Sequence, residues 1–120
     1  MDFTVKEIAK MIDHSLLSPL LTAEELEQGC RLAAELDVAS VCIMPYYLRR
    51  CTDLLAGAGV KASTTVGFPH GSHTTAIKVA EARQGLADGG EELDMVVNIS
   101  QVRSGNWDYV RRDLQAVIEV

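Results

Sequence analysis

In the stretch "EELDMVVNIS", Glu91 to Ser100, a single carboxylate, Asp94, interrupts an apolar run. A carboxylate between Leu93 and Met95 is costly to desolvate unless donors or a cation meet it, and without them its pKa rises. Such a group is suited to taking up and returning a proton near neutral pH. A strand-end aspartate satisfied by hydrogen bonds is the plainer reading of the same residue. Two other apolar segments carry polar groups in the same way. "MIDHSLL" holds Asp13, His14 and Ser15, and "VASVCIMP" holds Ser40 and Cys42. Alternate residues of a strand share a face. Asp94, Val96 and Asn98 then point one way, while Leu93, Met95, Val97 and Ile99 point the other and are fit to pack under helices. Asp13 and Ser15 share a face opposite His14, and Ser40 shares one with Cys42 and Met44. The polar residues gather on one side of the sheet these strands would build.

The elements that must position them follow from periodicity. A short helix over about Thr4 to Met11 precedes "IDHSLL". Thr22 with Glu25 three residues on has the form of a capping box, and Leu26, Cys30, Ala33 and Leu36 fall on one face of the helix it opens. "VASVCIM" is a β-rich run stopped by Pro45, and "YYLRRCTDLLAGAG" is a helix closed by Gly57 and Gly59. "KASTTVGF" predicts a third strand, Ser72 to Ala87 a helix ending at "DGG", and "ELDMVVNI" a fourth strand. Asn106 can cap a last helix whose Trp107, Val110, Leu114, Val117 and Ile118 share a face. A leading helix followed by four β-α units implies a parallel sheet with right-handed crossovers. Periodicity leaves two architectures open: a doubly wound sheet, complete at this size, and a (β/α)8 barrel, half present. No GxGxxG or Walker A sequence supports a nucleotide fold.

Composition narrows the partners. The 120 residues carry a net charge of -6, with no dense Lys/Arg stripe to offset phosphate, which argues against nucleic acid and anionic membranes. The expected partner is a small molecule or another protein. Cys30, Cys42 and Cys51 are odd in number and lack CxxC spacing, so neither a disulfide framework nor a zinc knuckle is expected, and a reducing cytoplasm fits. No signal peptide or membrane span is apparent. His70 and His73 in "HGSH", with His14, are a weak zinc signal, and "GFPHGS" reads as a pocket-rim loop before it reads as a phosphate cradle. "YYLRRC", "EEL" and "RRD" read as solvated charge. The chain is expected to be one unit over residues 1–120, with no internal domain boundary.

Four motifs, "IDHSLLSP", "VCIMPYYL", "TTVGFPHG" and "ELDMVVNISQVRSGNWDYVRRDLQAV", occur in the order and at the spacing of the deoxyribose-phosphate aldolases, and the sequence resembles that family over essentially its whole length. The resemblance implies an α/β, (β/α)8 TIM-barrel fold with only about four βα units present, an N-terminal half. It implies a cytoplasmic class I aldolase, a carbon-carbon lyase of deoxyribonucleotide catabolism. Such an enzyme cleaves 2-deoxy-D-ribose 5-phosphate to D-glyceraldehyde 3-phosphate and acetaldehyde through a Lys Schiff base, without metal or cofactor. By the same resemblance Asp94 is the proton-relay carboxylate, and Asp13, Ser15 and Cys42 line its pocket with weaker claims to a chemical role.

Departures are visible too. Ser18 stands in "LLSP" where the family often has Lys, and "GGEELD" stands where "GADEID" is usual. The family's Schiff-base Lys lies in a "VKTSTGF"-like motif that does not occur in these residues, and its second Lys is absent as well. Lys6, Lys10, Lys61 and Lys78 are expected to be solvated surface charges and not the nucleophile. Barrels of this class usually build the phosphate site after strands seven and eight. The chain alone is therefore expected to be inactive, pairing with a C-terminal half-barrel or forming a homo-oligomer. The alternative is a non-catalytic half-barrel that self-associates or serves as an interaction subunit.

Overall fold

The computed structural model describes residues 2–120. Four parallel strands form one sheet in the order β1-β2-β3-β4: β1 Asp13–Leu16, β2 Ser40–Ile43, β3 Lys61–Val66 and β4 Glu92–Met95. Asp13 pairs with Ser40, Ser40 with Lys61, and Ser63 with Glu92. Chain order equal to strand order chooses between the two open architectures, because a doubly wound sheet reverses direction at a switch point and a barrel does not. The helices are α1 Val5–Ala9, α2 Ala23–Glu35, α3 Leu48–Leu55, α4 Thr75–Ala87, α5 Ile99–Arg103 and α6 Trp107–Ile118. No helix among the described residues is long and apolar enough to cross a membrane.

Helix α2 starts as its sequence dictates. Thr22 Oγ1 accepts from the Glu25 amide at 3.3 Å, and Glu25 Oε2 accepts from the Thr22 amide at 2.8 Å, so two N–H groups that lack helical partners are satisfied reciprocally. Its buried stripe, Leu26, Cys30 and Ala33, meets Leu48, Cys51 and Leu55 of α3 over Leu16, Val41, Ile43 and Ala62 of the sheet. Burying each large aliphatic side chain contributes roughly 1.5–3 kcal/mol. A second cluster joins Val66, Ala82 and Val117 with Val79, Leu93 and Met95. Leu93 and Met95 thus pack under the helices while Asp94 is exposed, as the alternation requires. Helix α4 can approach this face closely because Gly85 has no side chain: a Cβ there would lie 3.1 Å from Leu93 Cδ2 and 3.3 Å from Thr64 Cγ2.

Several expectations need correction. The fourth strand ends at Met95, not Ile99; Asn98 accepts the Gln101 amide at 3.1 Å and caps α5, a helix not anticipated from the sequence. Asn106 does cap α6, accepting from the Tyr109 amide at 3.3 Å. Leu36, Trp107 and Ile118 are exposed at 56%, 63% and 80%, so the buried stripes are narrower than their apolar periodicity implied. The largest difference concerns charge. Lys78 and Asp113, expected at the surface, are 0% and 1% exposed and pair at 2.6 Å. Both lie on buried stripes, Lys78 with Ala82 and Gly85, Asp113 with Val110 and Val117, and that helical spacing was the available signal.

Candidate active site

The polar residues singled out by alternation meet on the open face of the sheet. A carboxylate oxygen of Asp13, the Cys42 Sγ and a carboxylate oxygen of Asp94 all lie within 4.8 Å of one another. Three inter-strand steps separate β1 from β4, about 14 Å in a flat sheet at the usual spacing. Asp13 and Asp94 can meet only because the sheet curls toward this face. Ser15, on β1 and opposite Cys42 in register, is exposed on the same side.

Each member is held differently. Asp13 accepts from Ser40 Oγ at 2.7 Å, a bond across the β1–β2 pair that fixes its carboxylate. Cys42 is 3% exposed. Burial, and then the neighbouring Asp94 carboxylate, push its thiol up to about 12, so it is a protonated thiol at neutral pH. Asp94 is exposed on the open face, free to meet a ligand. Ser63 lies opposite Cys42, buried, its hydroxyl without a partner among the described residues. Two carboxylates and a thiol are a conceivable three-donor metal set, but the thiol would first have to lose its proton from a site that holds it tightly. The arrangement is better suited to proton transfer at Asp94 beside a neutral, polarizable neighbour.

The remaining candidates fall elsewhere. His14, His70 and His73 do not come together as a metal-holding group among the described residues. In the loop after β3, the Gly67 amide donates to Glu81 Oε2 and the Gly71 amide to the Gly67 carbonyl, each at 2.7 Å, so neither is available to cradle a phosphate. Lys10 bonds Asp37 at 2.6 Å and Lys61 bonds Glu92 at 2.7 Å, both outside the cluster; Lys6 lies 3.9 Å from Asp37. Lys78 is committed to Asp113 beneath α4 and is not an open amine. A concavity of about 630 Å³ along α6, among Trp107, Val110, Leu114 and Ile118, does not include Asp13, Cys42 or Asp94.

Comparison with known proteins supports the family and the half-barrel fold. The family model of the DeoC/LacD family aldolases matches residues 7–120. A deoxyribose-phosphate aldolase of Rhodopirellula baltica is 62% identical over 119 residues, covering 99% of this chain and 49% of that protein. One from Clostridium kluyveri is 45% identical over 113 residues, covering 94% and 52%. Among solved structures, the aldolase QR15 superposes with a TM-score of 0.89 at 33% identity, covering 94% of this chain and 50% of that one. The tetrameric deoxyribose phosphate aldolase of Aeropyrum pernix superposes at 0.87 with 28% identity, covering 97% and 48%. The chain spans about half the length of the curated relatives it matches.

Proposed function

The chain belongs to the DeoC/LacD aldolase family, and from that premise we propose that it is the Asp94-bearing N-terminal half, residues 1–120, of a deoxyribose-phosphate aldolase. The observation that carries the proposal is the convergence of Asp13, Cys42 and Asp94 within 4.8 Å on the concave face of four βα units of a (β/α)8 barrel. The substrate class is a sugar phosphate, 2-deoxy-D-ribose 5-phosphate, split to D-glyceraldehyde 3-phosphate and acetaldehyde.

In this reaction a lysine amine on the other half-barrel condenses with the sugar aldehyde and releases water, giving an iminium. Removal of the proton from the C3 hydroxyl then lets the C2–C3 bond break. Glyceraldehyde 3-phosphate leaves and its bonding pair stays as an enamine. A proton returns to C2, and water releases acetaldehyde and the amine. Asp94 is the residue we assign to these proton transfers, directly or through a water. Asp13 and Ser15 orient the substrate, and Cys42 contributes an apolar, protonated wall. Among the described residues no lysine is suited to the covalent step. Lys6 and Lys61 are exposed and outside the cluster, Lys10 is bonded to Asp37, and Lys78 is tied to Asp113.

One observation favours a second reading. β1 and β4 each pair on one side only, and unpaired parallel edges invite association. Two copies closing a barrel would bring two Asp94 carboxylates and no Schiff-base lysine, a non-catalytic assembly. Intact-mass spectrometry after incubation with deoxyribose 5-phosphate and borohydride separates the two. Under the aldolase reading the chain alone gains no reduced adduct, and a supplied C-terminal half gains one when the two are mixed. An adduct on this chain alone would contradict the assignment. Absence of any adduct on a half shown to assemble would favour the non-catalytic reading.

A further inference from the structure

We propose that Lys78 and Asp113 form a positioning device for the end of β4, holding the backbone that carries Asp94; the inference rests on the functional reading above. Lys78 Nζ donates to Asp113 Oδ2 at 2.6 Å and to the Val96 carbonyl at 3.0 Å. Thr75 Oγ1 donates to the other carboxylate oxygen of Asp113 at 2.7 Å. Val96 is two residues past Asp94, and its amide donates to the Val66 carbonyl at 2.9 Å. Both polar groups of this residue are therefore fixed, one by β3 and the other by α4, at the point where the chain leaves the sheet.

The same helix anchors the neighbouring strand end. Glu81, one turn from Lys78, accepts the Gly67 amide at 2.7 Å. The loop that Gly67 opens then folds back onto the chain just past β4: Gly71, at φ +63°, sits so close that a Cβ would lie 1.8 Å from the Val97 carbonyl oxygen. Two charged side chains of α4 thus fix the exits of β3 and β4, and the loop between them locks on the segment that follows Asp94. Stability alone does not account for Lys78. A buried ion pair is weak evidence for stability, since well-packed apolar residues of like volume serve as well or better. What apolar residues cannot do is donate to the Val96 carbonyl. Placement of a catalytic group is sensitive to such support, because displacement by about 1 Å can cost on the order of a hundredfold in rate.

The test is the double variant Lys78→Met/Asp113→Leu, which removes both charges and leaves an apolar pair of similar heavy-atom outline, read in two ways. In the 120-residue chain, amide hydrogen exchange should rise about tenfold or more in residues 67–72 and 96–100 and stay unchanged in β2. In an assembly with a lysine-bearing half, kcat should fall roughly ten- to a hundredfold with KM within about twofold. A rise in exchange spread evenly over the molecule, or none, overturns the proposal, as does unchanged kcat with exchange raised at those segments. Should the double variant fail to fold, Thr75→Val, which deletes one hydrogen bond and no charge, is read by the same two measures with smaller shifts expected. An inactive wild-type assembly sinks the functional reading instead, and the exchange result still decides whether the clamp exists.

Discussion

Asp94 and Cys42 face each other across β3 with an offset of two residues. Register leads straight across from Cys42 to Ser63 and from Ser63 to Glu92, yet the β4 residue clustered with Cys42 is Asp94, two further along. Two residues over two strands is a stagger of one per strand, the value that closes an eight-stranded barrel with a shear of 8. Side chains from alternate strands form layers inside such barrels, and Cys42 and Asp94 occupy one layer.

That relationship makes Cys42 a reporter of Asp94. Its thiol, raised to about 12, should be nearly inert to iodoacetamide at pH 8. Asp94→Asn removes the nearby negative charge, so the midpoint of the alkylation profile should move down toward the ordinary thiol range while remaining raised by burial. An unchanged profile, followed by peptide mapping, would separate the two residues.

The same shift fixes a dependence of stability on pH. The folded thiol binds its proton more tightly than the unfolded one, whose ordinary value is 9.0. Its contribution is fully present below about pH 9 and is lost as pH rises through the window from 9.0 to about 12, where the folded state holds more protons. Urea titrations should show stability falling across that window. Cys42→Ala should flatten part of the fall, leaving the slope of other raised groups, among them Cys51, raised first by its contact with Cys30 and then by burial, and Lys61, raised by its bond to Glu92.

Thr22→Ala deletes one half of the capping box on α2 and should lower stability by about 1 kcal/mol, while Thr22→Ser should be close to neutral. Urea unfolding followed by circular dichroism measures both. A cost near zero for the alanine variant would mean that solvent satisfies the helix start equally well.

Gly71→Ala places a methyl group against the Val97 carbonyl at a positive φ, and both effects are unfavourable. A loss of roughly 1–3 kcal/mol is expected, concentrated in the loop after β3 and the end of β4. Hydrogen exchange resolves whether the loss is local.

Sequence made the strand faces legible because alternation is local: Asp94 against Leu93 and Met95 needs only the pleat. Strand order was not legible, because nothing in a periodicity distinguishes consecutive from reversed winding; the four motifs supplied the barrel by resemblance, and the sheet order agrees with it. The convergence of Asp13 with Asp94 depends on curl and stagger accumulated over three strand steps, which no single segment encodes. The burial of Lys78 and Asp113 is hard to read for a different reason. Charge argues for the surface in each case, while position on a stripe of small and apolar residues argues inward. Short α5 escaped because its cap, Asn98, continues a run that is β-like in composition.

Under the proposed function, Asp94 moves protons in an aldolase whose lysine lies on the other half-barrel. The most direct measurement is the retro-aldol rate on deoxyribose 5-phosphate of this chain assembled with a lysine-bearing half, compared with the same assembly carrying Asp94→Asn. Activity is expected in the first, and a fall in kcat of roughly a hundredfold or more in the second, with assembly intact. Equal rates in both assemblies would contradict this role of Asp94.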